Sequence, residues 1–285
     1  MDGVIIINKP KGYTSNDVVQ KVRKLLHTKK VGHAGTLDPL ATGVLPILVG
    51  QGTKLSKYLI EHDKTYIAEI TLGEKKSTGD LEGETIATKA VGDITESIIK
   101  ETLCSFLGKQ NQLPPMYSAI KKDGKKLYEY AREGIEVERQ PREIEIKDIK
   151  LLEYKENKIT YEVSCSKGTY IRVLCENIAE KLGTVGYMSN LNRTRVNQFK
   201  LEEAQDLENI TKYISIEEVF ATKEVIKLDS KKITLFLNGV LLTYAMPDGI
   251  YRIKNEENEF IGIGIINQGK LKRDIIIKNN VEIWR

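Results

Sequence analysis

The chain has 285 residues, enough for about two domains with sizeable hydrophobic cores. Hydrophobic residues make up 40% and charged residues 29%, with no apolar run long enough to span a membrane and no secretory signal pattern after Met1. This composition argues against a membrane-spanning or secreted protein, and we expect a soluble, globular protein of the cytoplasm.

The net charge is only +4, from 44 Lys and Arg against 40 Asp and Glu, so the total charge says little about nucleic-acid binding. The distribution of basic residues is more informative, because clusters of lysine and arginine can contact phosphates. Ordinary exposed lysines would give the same pattern at any single cluster. The clusters are Lys9/Lys11, Lys21/Arg23/Lys24, Lys29/Lys30, Lys121/Lys122/Lys125/Lys126 and Lys270/Lys272/Arg273.

The three cysteines, Cys104, Cys165 and Cys175, show no Cys-x-x-Cys spacing. With only three histidines to join them, they form no zinc-binding pattern. We therefore expect buried, reduced thiols and no metal site.

The beginning of the chain predicts a strand followed by a helix. Residues 3–8 are a short apolar run that ends in a Lys-Pro-Lys-Gly turn starting at Lys9. Ser15 is a candidate N-cap for a helix over residues 16–26, whose valines and leucines fall on one face.

Residues 35–46 form a segment rich in turn-forming residues with a single acid, Asp38. Pro39 fixes its own φ and favours an extended Asp38, while the glycines permit close approach of backbone or ligand. The apolar run 44–49 predicts a buried strand, so Asp38 should lie on a stiff loop anchored to that strand. An aspartate before a proline can also be only a turn residue.

Residues 64–72 alternate as a strand with Tyr66 near its start, where an aromatic residue is more often part of the core than catalytic. Thr95 should open a helix to about residue 106. Residues 112–132 then mix tyrosine, lysine and arginine and end in a helix stopped by Gly134. This mixture suits base stacking and phosphate contact, although an amphipathic surface helix would look the same.

In the second half of the chain, residues 143–154 and 158–166 alternate as paired strands that lead into a helix. Residues 202–220 predict short helices, and residues 223–232 predict a charged connection. After that connection the pattern changes to short β runs separated by glycine turns. The predicted strands of this tail are residues 235–242, 249–254, 260–267 and 274–277.

Several of these segments together resemble one protein family. The run of residues 31–46 around Asp38 resembles the nucleophile motif of the TruB family of tRNA pseudouridine synthases. Residues 9–15 resemble the family's first motif, in which a Lys-Pro pair buttresses the active site. Residues 63–68 resemble the short motif that carries the family's active-site tyrosine, here Tyr66.

The resemblance continues towards the middle and end of the chain. Residues 167–172 resemble the family's third motif, in which the arginine, here Arg172, pairs with the nucleophile. Residues 191–195 resemble the leucine segment that lines the uracil pocket, although residues 197–198 depart from the pair that relatives often carry. The segment at about 115–140 resembles the family's RNA-gripping insertion.

The resemblance implies a set of functional residues. Asp38 would be the nucleophile and Arg172 its partner, while Tyr66 would stack on the base and move the released proton. His33 would stack within the RNA and take part of the space left by the flipped nucleotide. The residues implied in substrate or RNA binding are Lys9, His33, Tyr170, Leu191, Lys121 and Arg132.

The resemblance also implies an α+β fold, with a mixed, largely antiparallel sheet flanked by helices. A small C-terminal β-rich PUA domain that binds RNA would follow, although short strands with glycine turns also describe many other small barrels. The expected domains are a catalytic domain over residues 1–225, which contains the insertion, and a PUA-like domain over residues 226–285.

The implied reaction is isomerisation of uridine 55 in the tRNA T-arm to pseudouridine, after the base has left its stack. It requires no metal, oxidant or nucleotide cofactor, because a positioned carboxylate can supply the covalent step. We expect a monomer that acts on tRNA without an obligate protein partner. Whether the carboxylate attacks the ring or the sugar stays open.

Two other functions are compatible with parts of the sequence. A protein of this fold could bind or fold tRNA without catalysis, although the presence of Asp38, Tyr66 and Arg172 argues against it. Phosphoryl transfer at residues 50–53 is disfavoured, because the Gly-x-x-x-x-Gly-Lys-Ser/Thr pattern is absent.

Overall fold

The structure, a computed structural model, describes residues 2–277, so Met1 and residues 278–285 at the end of the predicted PUA domain lie outside the described residues. The strands are β1 (Gly3–Lys9), β2 (Val31–His33), β3 (Thr42–Val49), β4 (Lys64–Leu72), β5 (Glu74–Lys76), β6 (Thr85–Thr88), β7 (Gly108–Gln112), β8 (Lys121–Lys122), β9 (Lys125–Lys126), β10 (Arg142–Lys155), β11 (Lys158–Cys165), β12 (Gly186–Val196), β13 (Phe199–Lys200), β14 (Ile214–Ser215), β15 (Val225–Lys227), β16 (Leu242–Thr243), β17 (Gly249–Lys254), β18 (Phe260–Asn267) and β19 (Lys270–Ile276). The helices are α1 (Ser15–Leu25), α2 (Ser56–Leu59), α3 (Glu96–Cys104), α4 (Leu127–Arg132), α5 (Ile171–Lys181), α6 (Ile216–Val219) and α7 (Ser230–Leu237), with 3₁₀ turns at Gly50–Leu55 and Leu201–Glu203.

Within residues 2–277, ten strands form a central sheet in the order β14-β1-β3-β12-β4-β11-β10-β7, with β2 paired to β3 and β13 paired to β12. Every pair recorded in this described sheet is antiparallel except that of β3 with β12. The predicted mixed, largely antiparallel sheet with helices is therefore confirmed.

Helices cover the apolar faces of this sheet. Helix α1 buries its valines against β1 and β3, and α3 and α5 pack on β4, β10 and β11. Each fully buried aliphatic side chain of this kind contributes about 1.5–3 kcal/mol of transfer free energy. The consecutive apolar residues of β1 follow from its position inside the sheet, where side chains on both faces are buried.

Gly43 is required where β3 and β12 run side by side. Its φ is +103°, and a Cβ atom there would lie 2.3 Å from the carbonyl oxygen of Arg193. A side chain at this position would strain the backbone and separate the strands. The close pairing brings the end of the Asp38 loop against β12.

The N-cap of α1 differs from the prediction. Thr14, rather than Ser15, caps the helix and forms a capping box with Asp17. The hydroxyl of Ser15 instead accepts a hydrogen bond from the backbone N–H of Leu37 at 2.9 Å. The start of α1 therefore supports the loop that carries Asp38.

The C-terminal part of the described chain contains a second sheet, in the order β15-β17-β18-β19-β16. The predicted strand over residues 235–242 is wrong over most of its length, since α7 extends to Leu237 and β16 starts only at Leu242. Asp229 caps α7 by accepting from the backbone N–H of Lys232 at 2.8 Å. Residues 202–220 are also less helical than predicted, because α6 and a 3₁₀ turn are separated by extended chain.

The two sheets share a hydrophobic core. Ile263 and Ile275 of the second sheet pack in one buried cluster with Leu48 and with Leu55 of the turn after β3. Polar contacts reinforce this junction, since the carboxylate of Asp274 accepts hydrogen bonds from Lys57 and Tyr58 and Glu217 pairs with Arg252 and Lys254. The second sheet therefore packs against the first through this shared core.

Two observations concern the expectations from composition. No helix within residues 2–277 is long and apolar enough to cross a membrane. Cys165 and Cys175 are buried free thiols, whereas Cys104 is exposed at the end of α3, so the prediction of three buried cysteines is wrong for that one.

Candidate active site

A cavity of about 550 Å³ opens beside the ends of β4 and β12, the Asp38 loop and the start of α5. The structure brings five of the predicted site residues together in its wall. They are Asp38, Tyr66, Tyr170, Arg172 and Leu191.

Backbone hydrogen bonds hold the loop that carries Asp38. The Asp38 carbonyl accepts from the N–H of Ala41 at 3.1 Å, and the Pro39 carbonyl accepts from the N–H of Gly12 at 2.9 Å. Together with the contact of Ser15 to Leu37, these bonds fix the loop on both sides of the carboxylate. The stiff loop expected from the sequence matches this geometry.

Lys9 is fully buried beneath the same loop. Its ammonium donates to the carbonyls of Pro10 at 2.9 Å, Tyr13 at 2.5 Å and Pro39 at 3.2 Å. Burial lowers the pKa of Lys9 to about 8, because the charged form is poorly solvated there. Direct RNA contact by Lys9 does not fit these contacts, whereas a buttress for the Asp38 loop does.

Arg172 lies in the first turn of α5 with 7% of its side chain exposed. Its Nε lies 3.1 Å from Oδ2 of Asp38, and its Nη1 lies 3.4 Å from Oδ2 of Asp80. The guanidinium also donates to the carbonyls of Thr78 at 3.1 Å and Tyr117 at 2.7 Å. One planar group therefore fixes the carboxylate and two further loops.

The carboxylate of Asp38 is in a mixed electrostatic environment. Burial raises the pKa of Asp38 above its ordinary value, because the protein replaces water around the charge. The charge of Arg172 opposes this rise, Asp80 adds to it, and Lys9 again opposes it. With 37% of its side chain exposed and a guanidinium at 3.1 Å, Asp38 can carry its charge at the cavity wall.

Tyr66, Leu191 and Tyr170 shape the rest of the cavity. Tyr66 and Leu191 are buried on the adjacent strands β4 and β12. Burial raises the pKa of Tyr66 to about 12, so the phenol is the stable form of the free site. Tyr170 precedes α5, where its N–H donates to the side chain of Gln112 at 2.8 Å and its carbonyl accepts from the same amide at 3.1 Å.

The other predicted site residues lie outside the cavity wall. His33 is half-buried at the end of β2. Burial lowers its pKa, and the positive charge of Arg193 lowers it further. Lys121 and Arg132 are exposed on the insertion formed by β8, β9 and α4. The Arg132 guanidinium lies 5.4 Å from the ring centre of Tyr128, so cationic and aromatic groups are adjacent there.

Two residues at this site were not singled out from the sequence. Asp80, with 4% exposure, accepts from the Thr78 hydroxyl at 2.5 Å and holds Arg172 from the side opposite Asp38. Its segment looked like an ordinary polar loop. Arg193 is buried under the Asp38 loop. It follows Leu191 by two residues on β12, and this spacing places both side chains on the same face of the strand, which could have indicated Arg193 as a site residue.

Among the described residues, no group of three or more His, Cys, Asp or Glu side chains is arranged to hold a metal ion. The wall of the cavity includes the carboxylate of Asp38, the guanidinium of Arg172 and the phenol of Tyr66.

Solved structures show which class of protein has this architecture. The chain matches a chain in the crystal structure of a Cbf5-Nop10-Gar1 complex with a TM-score of 0.70 and 25% identity, over 96% of this chain and 83% of that one. A structure of an H/ACA RNP bound to a substrate RNA containing 2′-deoxyuridine matches with a TM-score of 0.70 and 23% identity, over 96% and 85%. The fold is that of the pseudouridine synthases.

Sequence comparison defines the family within that class. The sequence model for the N-terminal domain of TruB family pseudouridylate synthases matches residues 23–171, and the model for the tRNA pseudouridylate synthase B C-terminal domain matches residues 172–231. The chain is 44% identical over 277 residues to tRNA pseudouridine synthase B of Clostridium kluyveri, covering 93% of this chain and 96% of that protein. It is 55% identical over 209 residues to tRNA pseudouridine synthase B of Bacillus subtilis, covering 71% and 68%. The chain belongs to the TruB family and is an enzyme of the pseudouridine synthase class.

Proposed function

We propose that this enzyme converts uridine 55 in the T-arm of tRNA to pseudouridine, with Asp38 as the covalent nucleophile. The observation that carries the proposal is the Asp38 carboxylate, held 3.1 Å from the Arg172 guanidinium in a cavity of about 550 Å³. The relatives named tRNA pseudouridine synthase B support tRNA as the substrate.

Each of the cavity residues would have a separate role in the reaction. The uracil base would enter the cavity after leaving its stack, which costs a few kcal/mol. Asp38 would form a covalent bond to the nucleotide while the glycosidic bond breaks, so that the base can turn and rejoin through carbon. Arg172 would keep the carboxylate charged and aimed.

Tyr66 would stack on the turned base and receive the proton released from C5. Its place on β4 beside Leu191 supports the stacking role, because both side chains are buried in the wall of the same cavity. Tyr170 would contact the base from the start of α5. His33 would stack within the RNA in the space left by the flipped nucleotide.

RNA binding would extend to the insertion and the C-terminal sheet. Lys121 and Arg132 are exposed on the insertion, which suits contacts to phosphates and stacked bases. We assign a PUA-like RNA-binding role to the C-terminal sheet, which starts with β15 at Val225. The enzyme would act as a monomer in the cytoplasm without an obligate protein partner, and light scattering of the purified chain with and without tRNA would test the monomer.

The test is tritium release from C5-labelled uridine in an unmodified T-arm stem-loop under single-turnover conditions. Native protein should release tritium from a stem-loop with uridine at position 55 and not from one with cytidine there. Asp38→Asn should bind the same RNA without release, whereas the exposed control Asp93→Asn should react like the native protein.

Other outcomes would identify other functions. Tight binding without release from any uridine of full-length tRNA would contradict catalysis and favour a tRNA-binding or tRNA-folding protein. Release that persists at the cytidine-55 RNA would contradict the assigned position. Release by Asp38→Asn at the native rate would contradict the assigned nucleophile.

A further inference from the structure

Arg193 is a buried cation without an acidic partner. It is 1% exposed, and none of the carboxylates within residues 2–277 lies within salt-bridge distance of its guanidinium. Burying a charge is costly unless hydrogen bonds compensate it. Arg193 lies in the wall of the cavity together with Asp38 and Tyr66, so its charge is close to the proposed reacting groups.

The guanidinium of Arg193 holds the backbone on both sides of Asp38. Its Nη2 donates to the carbonyl of Gly35 at 3.0 Å, its Nη1 to that of Thr36 at 3.3 Å and its Nε to that of Val44 at 2.8 Å. These three carbonyls belong to the beginning and end of the loop. Three of the five N–H donors of Arg193 are thus bonded to neutral carbonyl oxygens, which do not neutralise its charge.

The same residue faces Tyr66. On β12, Arg193 pairs across to Gly43 of β3 on one side and to Tyr66 of β4 on the other. Burial raises the pKa of Tyr66, whereas the charge of Arg193 and its side-chain interaction with Tyr66 lower that pKa and so favour the ionised phenol. One side chain thus connects the loop of the nucleophile to the tyrosine.

Resting on the proposed function, we infer that Arg193 is a positioning residue that holds the Asp38 loop and Tyr66 in one arrangement and stabilises the anionic form of the Tyr66 hydroxyl. In the proton step, the Tyr66 phenol first loses its proton to solvent. The phenolate then accepts the proton from C5, and the electrons of that C–H bond form the C5–C6 double bond. At the same time a bond of C6 breaks: after attack at the sugar the electrons of the C6–N1 double bond move to N1, which takes a proton from solvent, and after attack at the ring the bond to Asp38 breaks and the carboxylate leaves. Tyr66 ends as the phenol, so charge and protons balance.

Other ionisable groups act on the same pair and set the background for this effect. Burial and the neighbouring groups Cys165 on β11 and Asp38 raise the pKa of Tyr66, and Arg193 opposes them. Burial lowers the pKa values of Lys9 on β1, His33 on β2 and Lys64 on β4, and the charge of Arg193 adds to this lowering in each. None of these neighbours forms an ion pair with Arg193. Removing the charge of Arg193 should therefore produce a measurable change in the pKa of Tyr66.

The experiment places a fluorinated tyrosine at position 66 and follows its ionisation by ¹⁹F NMR in the full-length protein. Fluorine makes the phenol more acidic, so that it titrates at lower pH than tyrosine. We expect the titration midpoint to rise by at least one pH unit in Arg193→Met, a tenfold or larger fall in the ionisation constant. Arg193→Lys keeps the charge and should show a smaller shift.

Single-turnover tritium release supplies the second readout. Arg193→Met should lose roughly 100-fold in rate at saturating enzyme while RNA affinity changes little. The control is Lys158→Met, which removes a half-exposed cation of the same sheet that lies outside the cavity wall and pairs with Glu69, and which should leave both readouts unchanged.

Each result decides the inference. An unchanged ¹⁹F midpoint in Arg193→Met, or a native rate in that variant, would overturn it. If Arg193→Met does not fold, the ¹⁹F titration and the tritium-release rate are measured on Arg193→Lys instead. A native midpoint together with a native rate in Arg193→Lys would overturn the requirement for the guanidinium. Absence of tritium release from the native protein would contradict the proposed function, whereas the ¹⁹F titration would still test the link between Arg193 and Tyr66.

Discussion

At the scale of single residues, Arg172 sets both the position and the charge of Asp38. Its charge opposes the rise in the pKa of Asp38 that burial and Asp80 produce. Arg172→Met should therefore raise that pKa further and move the acid limb of the single-turnover rate to higher pH. It should also lower the plateau rate by about 100-fold, the usual effect of removing one preorganised electrostatic group.

Arg172→Lys separates these two effects, since it keeps a positive charge and loses the planar fork. Its acid limb should stay closer to that of the native enzyme while the plateau rate still falls. Rates of tritium release between pH 5 and 8 measure both quantities. An acid limb that is the same in all three proteins would contradict the assigned influence of Arg172 on Asp38.

Lys9 makes a different residue-scale contribution, through stability. Its pKa is lowered from 10.5 to about 8, so between these values the unfolded chain binds more protons than the folded chain. The free energy of unfolding should therefore rise with pH across this window because of Lys9. In Lys9→Met that slope should be smaller by on the order of 1 kcal/mol per pH unit.

Urea unfolding at several pH values between 8 and 10 tests the contribution of Lys9. The exposed Lys11→Met is the control and should leave the slope as in the native chain. Equal slopes in Lys9→Met and native protein would mean that the buried ammonium keeps an ordinary pKa.

At the scale of elements, the contact of β3 with β12 depends on Gly43. Gly43→Ala should lower the free energy of unfolding by about 2–4 kcal/mol, because it combines a positive φ with a backbone clash. Gly12→Ala is the matched control, since Gly12 has a φ of +85° and nothing within 4 Å of its Cβ position. That substitution should cost about 1 kcal/mol, from the backbone strain alone. Equal losses in urea unfolding would show that the strands can separate freely.

Local patterns predicted most of the strands and helices around the cavity. Residues 64–72 match β4, and the hairpin of β10 and β11 lies within one residue of its predicted ends, because one-sided burial imposes alternation. The α7 segment was assigned to a strand because its apolar run was given more weight than the N-cap at Asp229.

The site shows what the sequence could not reveal. Asp38 and Arg172 were paired through resemblance to a family, since no periodicity relates residues so far apart. Asp80 was overlooked because a polar turn and a buried ion-pair partner look alike in sequence. Arg193 was overlooked because an arginine is seldom fully buried and because β12, which lies between β3 and β4, was not predicted as a strand, so its spacing from Leu191 was not used.

At the scale of the whole molecule, the two sheets should unfold as one unit. The resemblance implied a small C-terminal domain over residues 226–285, and Ile263 and Ile275 in that range belong to a core shared with β3. Ile263→Ala should lower the free energy of unfolding by about 2–5 kcal/mol. Unfolding curves from circular dichroism and from loss of tritium release should keep a common midpoint.

Val240→Ala is the control for this prediction, because Val240 is exposed in the same part of the chain. It should change the free energy of unfolding by less than about 0.5 kcal/mol. Loss of activity at a higher urea concentration than the first structural transition would show that the C-terminal sheet unfolds independently.

The strand order of the central sheet also governs when the enzyme can form during its synthesis. Strands β1 and β3 are made first, yet their neighbours β12 and β14 come from the last third of the chain. At about 5–20 residues per second, a ribosome needs roughly 8–30 s to advance the ~150 residues from Asp38 to Arg193. During that time the nascent chain can pair β1 with β3, but the edges of these strands that face β14 and β12 have no partner, a state in which chaperones protect a protein from aggregation. Catalytic competence should arise only after β12, which ends at Val196, has left the ribosome.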